Sequence, residues 1–196
     1  MKKPIFIAIF LSLLVTSNVF AKTEGNYIGI NLINSKSSYS DSLHNRYSIQ
    51  NDNKKSVGIS FKHAINYNDL FIAPEVFYDH TDIKMTDSDS DEWKINSRIG
   101  ARLNIGYDIA DEFSVFVNAG FTRNSYKVNW ESINSYRQDS SGGFIYGFGA
   151  SYSVNQNIDL LLAYDISSLE MQEPILSGNK YDFDLKTIKA GISYKF

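Results

Sequence analysis

The segment 93–107 alternates apolar and polar side chains with a period of two, and no other feature constrains the fold of this chain more strongly. Successive side chains of a β-strand point to opposite faces, whereas a helix would scatter the same charges around its axis. The apolar face would carry Trp93, Ile95, Ile99, Ala101, Leu103, Ile105 and Tyr107, interrupted only by Ser97. The other face would carry Lys94, Asn96, Arg98, Gly100, Arg102, Asn104 and Gly106. The segment therefore predicts a long β-strand with one apolar face and one polar face.

The same period recurs along the chain and predicts eight strands. They cover residues 25–35, 55–66, 70–81, 93–107, 113–124, 143–154, 158–169 and 183–196. The third is the least regular of the inner strands, because Pro74 lacks a backbone donor and Phe71 and Phe77 share the parity of Glu75. Tight turns follow the second, fourth and sixth strands, whereas roughly 36–54, 82–92, 125–142 and 170–182 form long polar loops. This alternation predicts an all-β, eight-stranded antiparallel up-and-down barrel.

The first 21 residues predict a cleaved signal peptide. Lys2 and Lys3 precede an apolar run at 5–15, and a small-residue site ending at Ala21 follows. The run is shorter than the roughly 20 residues that a spanning helix needs. We therefore expect Sec-type export, signal cleavage after Ala21 and one mature domain at 22–196.

The composition argues against several classes of protein. The chain has no cysteine, so it has neither a thiol for lipid attachment nor a disulfide. Loss of Lys2 and Lys3 with the leader would leave 17 basic and 22 acidic residues, a net charge of −5. A nucleic-acid partner would favour a basic surface, so we expect no nucleic acid. Beyond the leader no apolar run is long enough for a spanning helix, and strands would have to cross any membrane.

The polar face of the strands predicts which side faces inward. Glycine, serine, threonine and asparagine dominate it, and small side chains suit the narrow interior of an eight-stranded barrel. Exposing Arg98 or Arg102 to hydrocarbon would cost roughly 2–4 kcal/mol each near the bilayer midplane. The pattern therefore predicts a transmembrane barrel with its apolar face outward, and a soluble barrel is the alternative. Aromatic residues near strand ends suit the two girdles of such a barrel: Trp93, Tyr107, Phe113, Phe144, Tyr152, Tyr194 and Phe196.

This register places charged side chains of both signs in the lumen. The basic residues are Lys62, Arg98, Arg102 and Lys189, and the acidic residues are Glu75, Asp79, Asp159 and Asp165. Unpaired buried charges are costly, and eight strands enclose a space that side chains can fill. We predict an ion network that plugs the lumen, and an ion-selective pore is the alternative interpretation.

Residues with catalytic potential are few. The histidines are His44, His63 and His80, and their spacing matches neither a metal site nor a catalytic triad. His44 follows Ser42, and His80 follows Asp79, but neither pair forms a recognisable motif. The acidic run 87–92 lacks the glycine and glutamate positions of an EF-hand. We therefore assign no catalytic residue, metal or cofactor.

The chain closes with a strand whose outward face would hold Ile188, Ala190, Ile192, Tyr194 and Phe196. This strand resembles the C-terminal signature of Gram-negative outer-membrane β-barrels, and the resemblance implies that the barrel-assembly machinery recognises these residues. With the leader and the alternating connections, the mature chain resembles the small surface-antigen or porin-like outer-membrane proteins. That group includes opacity-type adhesins and the transmembrane domain of OmpA-like proteins.

The resemblance implies a location and a function. The barrel would lie among outer-membrane lipids, with long loops outside the cell and both termini in the periplasm. Its role would be structural or adhesive, without enzymatic activity, and its loops could contact host or environmental ligands. A small porin-like passive channel is the alternative, and an outer-membrane lipid-modifying enzyme is the third hypothesis.

Overall fold

Eight long strands account for almost all of the described chain. A computed structural model describes residues 23–39, 50–51, 54–86, 92–130, 135–172 and 180–196. The strands are β1 (Gly25–Tyr39), β2 (Lys54–Tyr67), β3 (Leu70–Thr86), β4 (Glu92–Ala110), β5 (Phe113–Trp130), β6 (Ser135–Ser153), β7 (Ile158–Gln172) and β8 (Lys180–Lys195). A two-residue segment, Gln50–Asn51, also pairs with β3. No helix within the described ranges is long and apolar enough to cross a bilayer.

The strands form a closed barrel. Each pairs antiparallel with the next along the chain, and β1 pairs with β8 from Tyr27↔Lys195 to Tyr39↔Phe183. The predicted eight-stranded antiparallel up-and-down barrel is confirmed. Closure leaves no sheet edge, as the interior of a bilayer requires, because hydrocarbon cannot satisfy free backbone groups.

The two ends of the barrel differ. Short turns, including Asn68–Asp69, join strands at one end, which also holds the start of β1 and Phe196. Asn68 has a positive φ of 59°, a left-handed conformation that asparagine tolerates better than most residues. We call this the turn end and the opposite one the loop end.

Several strands continue into segments that the sequence predicts as loops. β5 runs to Trp130 and β6 begins at Ser135, so most of the predicted loop 125–142 belongs to a ladder. β3 likewise extends to Thr86. Backbone pairing does not need apolar side chains. The alternation of apolar and polar residues is therefore lost where neither face of a strand has to be uniformly apolar or uniformly polar. The loop boundaries at these places were wrong for that reason.

Large apolar side chains cover the outside of the barrel. Leu32, Phe121 and Ile192 are 67%, 72% and 59% exposed, whereas polar residues of the opposite parity, such as Asn31 and Thr187, are buried. Exposed apolar surface on this scale fits contact with lipid. The outward direction of the apolar face agrees with the sequence prediction.

Ile95 is fully buried, so its predicted place on the outward face is wrong. The β4–β5 ladder shifts register between Ile95 and Ser97, and the β3–β4 ladder shifts between His80 and Ile83. An extra residue in one strand moves the following side chains to the other face. Even-numbered residues of β4, such as Arg98, therefore point inward on one side of the bulge, and odd-numbered Ile95 points inward on the other.

Candidate functional site

The lumen is filled by side chains in three successive layers. A central ionic layer contains Glu75, Asp79, Arg98, Arg102, Asp165 and Lys189. A turn-end layer and a loop-end layer, both largely apolar, lie on either side of it. Six of the eight charged residues expected in the lumen thus meet in one network.

Arg102 connects two sides of the barrel. Its Nε and Nη2 donate to the Glu75 carboxylate at 3.0 and 2.9 Å, and Glu75 is its direct partner on β3. Its Nη1 donates to both oxygens of Asp165 on β7, at 3.0 and 2.8 Å. The planar guanidinium suits such paired contacts, which are among the stronger hydrogen bonds in proteins. Arg102 therefore bridges strands β3 and β4 to β7 across the lumen.

Asp79 is the second centre of the ionic layer. It accepts hydrogen bonds from Nε and Nη2 of Arg98 at 3.0 and 2.6 Å, and Arg98 is its direct partner on β4. Lys189 Nζ, from β8, lies 3.0 Å from Asp79 Oδ2 and 3.8 Å from Asp165 Oδ2. Arg98 Nη1 also donates to Ser167 at 3.3 Å. The layer thus balances three basic against three acidic side chains and connects β3, β4, β7 and β8.

Uncharged residues complete the ionic layer, and sequence reasoning assigned them no role. Asn104 donates to Glu75 at 2.9 Å, and Asn118 donates to Asp165 at 3.0 Å. The Phe77 ring lies beneath the cations, with Lys189 Nζ 4.3 Å from its centroid, a distance at which cation–π attraction acts. The sequence held one signal for the position of these residues, because the alternation along each strand places them on the inward face. Phe77, for example, shares the parity of Glu75.

Lys62 and Asp159 belong to the turn-end layer and not to the ionic network. Lys62 Nζ lies 4.3 Å from the centroid of the Tyr27 ring. Neither residue forms an ion pair with another residue of the described chain. Both line a cavity of about 20 Å³, which has room for about one water molecule. The apolar members of the layer are Tyr27, Ala64, Phe71, Ala73, Phe116 and Ala163.

Inward phenylalanines pack over glycines on neighbouring strands. Phe77 is the direct partner of Gly100, and a Cβ on Gly100 would lie 2.6 Å from Cζ of the ring. Phe71 covers Gly106 in the same way, also as its direct partner. A ring over a cross-strand glycine restores packing that the missing side chain cannot supply. These glycines therefore make room for the rings that fill the lumen.

The start of β1 closes the turn end. Thr23 is buried, and its backbone N and Oγ1 donate to the Asp108 carboxylate at 3.3 and 2.7 Å. Ser114 and Asn66 donate to the same carboxylate at 2.7 and 3.1 Å. The residue two positions before β1 is thus tied to the end of β4 and the start of β5, which are distant in the chain.

Apolar residues form the loop-end layer. Ile95 and Leu185 are fully buried, and Tyr126 is 4% exposed. The complete cluster is Ile83, Ile95, Tyr126, Val128, Leu169, Phe183 and Leu185. This apolar layer separates the ionic layer from the loop end.

The described histidines lie on the outer surface. His80 is exposed, and His63 Nδ1 lies 2.8 Å from Asn26 Oδ1 at the turn end. His44, its neighbour Ser42 and the cleavage residue Ala21 lie outside the described residues. Within the part of the chain that the structure describes, no group of three or more His, Cys, Asp or Glu could hold a metal ion.

The residues of the C-terminal signature lie on the outer face of β8. Ile188, Ile192, Tyr194 and Phe196 are 51%, 59%, 53% and 63% exposed, and Ala190 shares their parity. The Phe196 backbone N donates to Asn26 O at 2.9 Å, so the last residue is anchored to β1. The signature therefore lies along the seam that closes the barrel.

Comparisons with known proteins agree with this architecture. A family model described as an outer membrane protein beta-barrel domain matches residues 6–196. No curated protein matches the chain significantly. The chain is similar to the crystal structure of Ail, the attachment invasion locus protein of Yersinia pestis, at 15% identity and a TM-score of 0.59, covering 89% of this chain and 100% of Ail.

Two further solved structures share the fold. Neisserial surface protein A is 20% identical, with a TM-score of 0.57 and coverage of 88% of this chain and 98% of that one. OprG from Pseudomonas aeruginosa is 14% identical, with a TM-score of 0.55 and coverage of 91% and 99%. Likeness at these identities shows the fold, whereas function depends on the individual sites.

Proposed function

Because the chain belongs to the outer membrane protein β-barrel domain family, we propose that it is a non-enzymatic surface barrel of structural or adhesive type with a closed lumen. The barrel resides in the outer membrane, surrounded by lipid. Its plugged wall would carry the loop-end connections, which would serve as a contact surface.

The closed lumen is the observation that carries this proposal. A passive channel needs a continuous water-filled path, but Arg98 and Asp79 are fully buried at the centre. The apolar loop-end layer, with Ile95 and Leu185 fully buried, lies on one side of them. On the other side, Phe71 and Phe116 are only 2% and 8% exposed. An ion would have to displace side chains in three layers to cross.

Conductance in planar bilayers tests the closed lumen. We expect the refolded protein to show no steady channel steps under conditions in which a general porin conducts. The Arg102→Ser variant, which lacks the bridge from β4 to β7, should conduct more often than the parent if the ionic layer is part of the barrier. Gel mobility with and without heating would show that each sample is folded. Steady, ion-selective steps from the parent protein would overturn the proposal and support the porin-like alternative.

We place the loop end outside the cell and the turn end, with both termini, in the periplasm. Thr23 and Phe196 both lie at the turn end, and short turns of outer-membrane barrels face the periplasm. An epitope inserted within 173–179 should be labelled by antibody on intact cells. The same epitope inserted at Gln156 should be labelled only after the outer membrane is opened. The reverse result would invert the topology.

Contact with host or environmental ligands would occur through the loop-end connections. Ail and Neisserial surface protein A are named for attachment and for the cell surface, and Ail has been crystallised with the heparin analogue sucrose octasulfate. Cells displaying this protein should adhere better to host-cell monolayers or heparin-coated surfaces than cells whose 173–179 segment is replaced by glycine and serine. Equal adhesion of the two kinds of cells would argue against an adhesive role and favour a structural one. A change in lipid A acylation that depends on His44 or His80 would instead support the enzyme hypothesis.

A further inference from the structure

The outer surface of β5, β6 and β7 carries a continuous group of aromatic side chains. The ring centroids of Phe121 and Phe144 lie 5.6 Å apart in an edge-to-face arrangement, and those of Phe144 and Tyr146 lie 6.1 Å apart. Phe148 and Tyr164, direct partners in the β6–β7 ladder, have centroids 5.7 Å apart. We call these five residues the aromatic ridge: Phe121, Phe144, Tyr146, Phe148 and Tyr164.

Two tyrosines of the aromatic ridge lie well inside the apolar band. Tyr164 is six residues from the start of β7 at Ile158, and Tyr146 is seven residues from the end of β6 at Ser153. A strand that rises about 3.3 Å per residue with a tilt of about 40° places each of them roughly 15–18 Å from the turn end. The apolar band of an outer-membrane barrel is about 25 Å tall, so both phenol rings face hydrocarbon.

The hydroxyl groups of these two tyrosines have no hydrogen-bond partner within the part of the chain that the structure describes. Tyr107, at the turn end, differs in that its hydroxyl donates to Asp69 at 3.5 Å. Acyl chains contain neither donors nor acceptors, so an unpaired hydroxyl in hydrocarbon costs free energy. A second protein surface could supply the missing partner, and surrounding acyl chains could not.

A groove lies beside the aromatic ridge on the same face of the barrel. It has a volume of about 820 Å³, and Phe148 and Tyr164 belong to its wall. Ala150 lies in the groove between Val115 and Leu162, its partners on the two flanking strands, and its side chain is the shortest of the three. Small residues let surfaces within a membrane approach closely. A ridge next to a groove makes the face self-complementary, which is the condition for a two-fold interface between identical chains.

The face is also large enough for a stable dimer. Phe121, Phe144, Tyr146 and Phe148 are 72%, 44%, 49% and 60% exposed. With about 200 Å² for a whole aromatic side chain, these four alone offer roughly 450 Å². Val117 and Leu162, each 60% exposed, and the other residues of the groove extend the face toward the about 800 Å² that each partner buries in a stable complex.

We propose that the aromatic ridge and this groove pair with the same face of a second copy of the chain within the membrane. A two-fold axis along the membrane normal keeps both copies in one orientation and brings identical residues to the same depth. The ridge of each copy packs into the groove of the other, and tyrosine hydroxyls of the two copies form hydrogen bonds with each other. Apolar burial does not drive association in lipid, so close packing and these hydrogen bonds supply the affinity.

Fluorescence energy transfer between copies in phospholipid vesicles tests the pairing. Gln156→Cys, in the exposed turn between β6 and β7, would carry either the donor or the acceptor dye on the full-length protein, which has no other cysteine. We expect more transfer than random mixing produces, and we expect it to fall when unlabelled parent protein is added. Transfer at the level of random mixing would overturn the dimer.

Ala150→Leu tests the groove. The added side chain would fill the space that the ridge of the partner needs, so the affinity between copies should fall at least about tenfold. Ala190→Leu is the matched control, because it makes the same outward change in a second apolar groove, of about 960 Å³, that β1 and β8 help to line. Its affinity should stay within about twofold of the parent. Gel mobility with and without heating shows that each variant is folded, and equal losses in the two variants would overturn the interface.

Tyr146→Phe/Tyr164→Phe tests the hydroxyl pairing, because it removes both hydroxyls and keeps both rings. The affinity between copies should fall about five- to tenfold. Tyr78→Phe/Tyr194→Phe is the control, since it removes two outward hydroxyls from β3 and β8, and it should leave the affinity unchanged. If the Tyr146→Phe/Tyr164→Phe variant paired as tightly as the parent, the argument for a second copy would fail.

Native mass spectrometry of the detergent-solubilised protein distinguishes the occupants of the groove. A species with two copies of the chain, lost in the Ala150→Leu variant and kept in the Ala190→Leu variant, would support the dimer. A single chain that carries a bound phospholipid, lost in the same variant, would overturn the dimer and assign the groove to lipid.

Discussion

Replacing Asp79 by asparagine tests whether the ionic layer is dry. The change keeps the size of the side chain and removes the charge that Arg98 and Lys189 share. The side chains of Asp79 and Arg98 are 0% exposed, and that of Lys189 is 1% exposed. After the change, the remaining counter-charge of Lys189 would be Asp165 at 3.8 Å, and Arg98 would keep its hydrogen bond to Ser167 at 3.3 Å. Two buried cations would lose their nearest counter-charge.

The expected loss of stability follows from that geometry. Removing one partner of a buried ion pair costs about 3–5 kcal/mol, and we expect Asp79→Asn to fall in this range. Lys189→Met should cost about 1–3 kcal/mol, because Asp79 and Asp165 would each keep an arginine. The double variant again balances two basic against two acidic residues. The stability that the double variant loses should be smaller than the sum of the losses of the two single variants by about 1–3 kcal/mol.

Urea-induced unfolding in phospholipid vesicles, followed by tryptophan fluorescence, measures these free energies. Lys94→Gln is the control, because it breaks the Lys94–Asp82 pair, whose side chains are 33% and 41% exposed. Such a pair contributes at most about 1 kcal/mol. If Asp79→Asn lowered the free energy of unfolding no more than this control does, or if the effects of Asp79→Asn and Lys189→Met were additive, the charges would be hydrated and independent. The closed lumen would then be wrong.

Three further changes test other parts of the structure. Gly100→Val should prevent folding or lower the free energy of unfolding by several kcal/mol, because the added side chain would overpack the lumen. The outward Ala101→Val should be nearly neutral in the same urea assay. Deletion of Phe196 should slow assembly into cell membranes by far more than it lowers the stability of the refolded barrel, and insertion at the parental rate would contradict the signature. Asp108→Ala should release Thr23 and make the N-terminus of the refolded protein easier to cleave by aminopeptidase, with an unchanged rate as the contrary result.

Much of the architecture could be predicted because a two-residue period leaves few alternatives. All eight predicted strands exist, and the tight turns lie where the sequence places them. The pairing of Glu75 with Arg102 and of Asp79 with Arg98 follows once β3 and β4 are placed in register. Opposite charges at matching positions on adjacent strands were visible in the sequence.

The rest depends on neighbours that a single segment does not reveal. The register shift that turns Ile95 inward arises from its pairing with β3 and β5, and the only local sign of it is Ser97, which interrupts the apolar face. The location of Lys62 outside the ionic network likewise depends on Tyr27, which occupies the adjacent strand. The apolar loop-end layer was missed because the inward residues there were expected to be polar.

The ionic layer also has a consequence for assembly of the barrel. Arg102 and Lys189 reach partners on strands that are far away in the chain, so their contacts form only when β3, β4, β7 and β8 surround the same lumen. A strand displaced by a single residue would turn its charge toward hydrocarbon and leave the opposite charge alone in the interior. Such a shift is therefore destabilising for two reasons, and the network favours one relative alignment of β3, β4, β7 and β8.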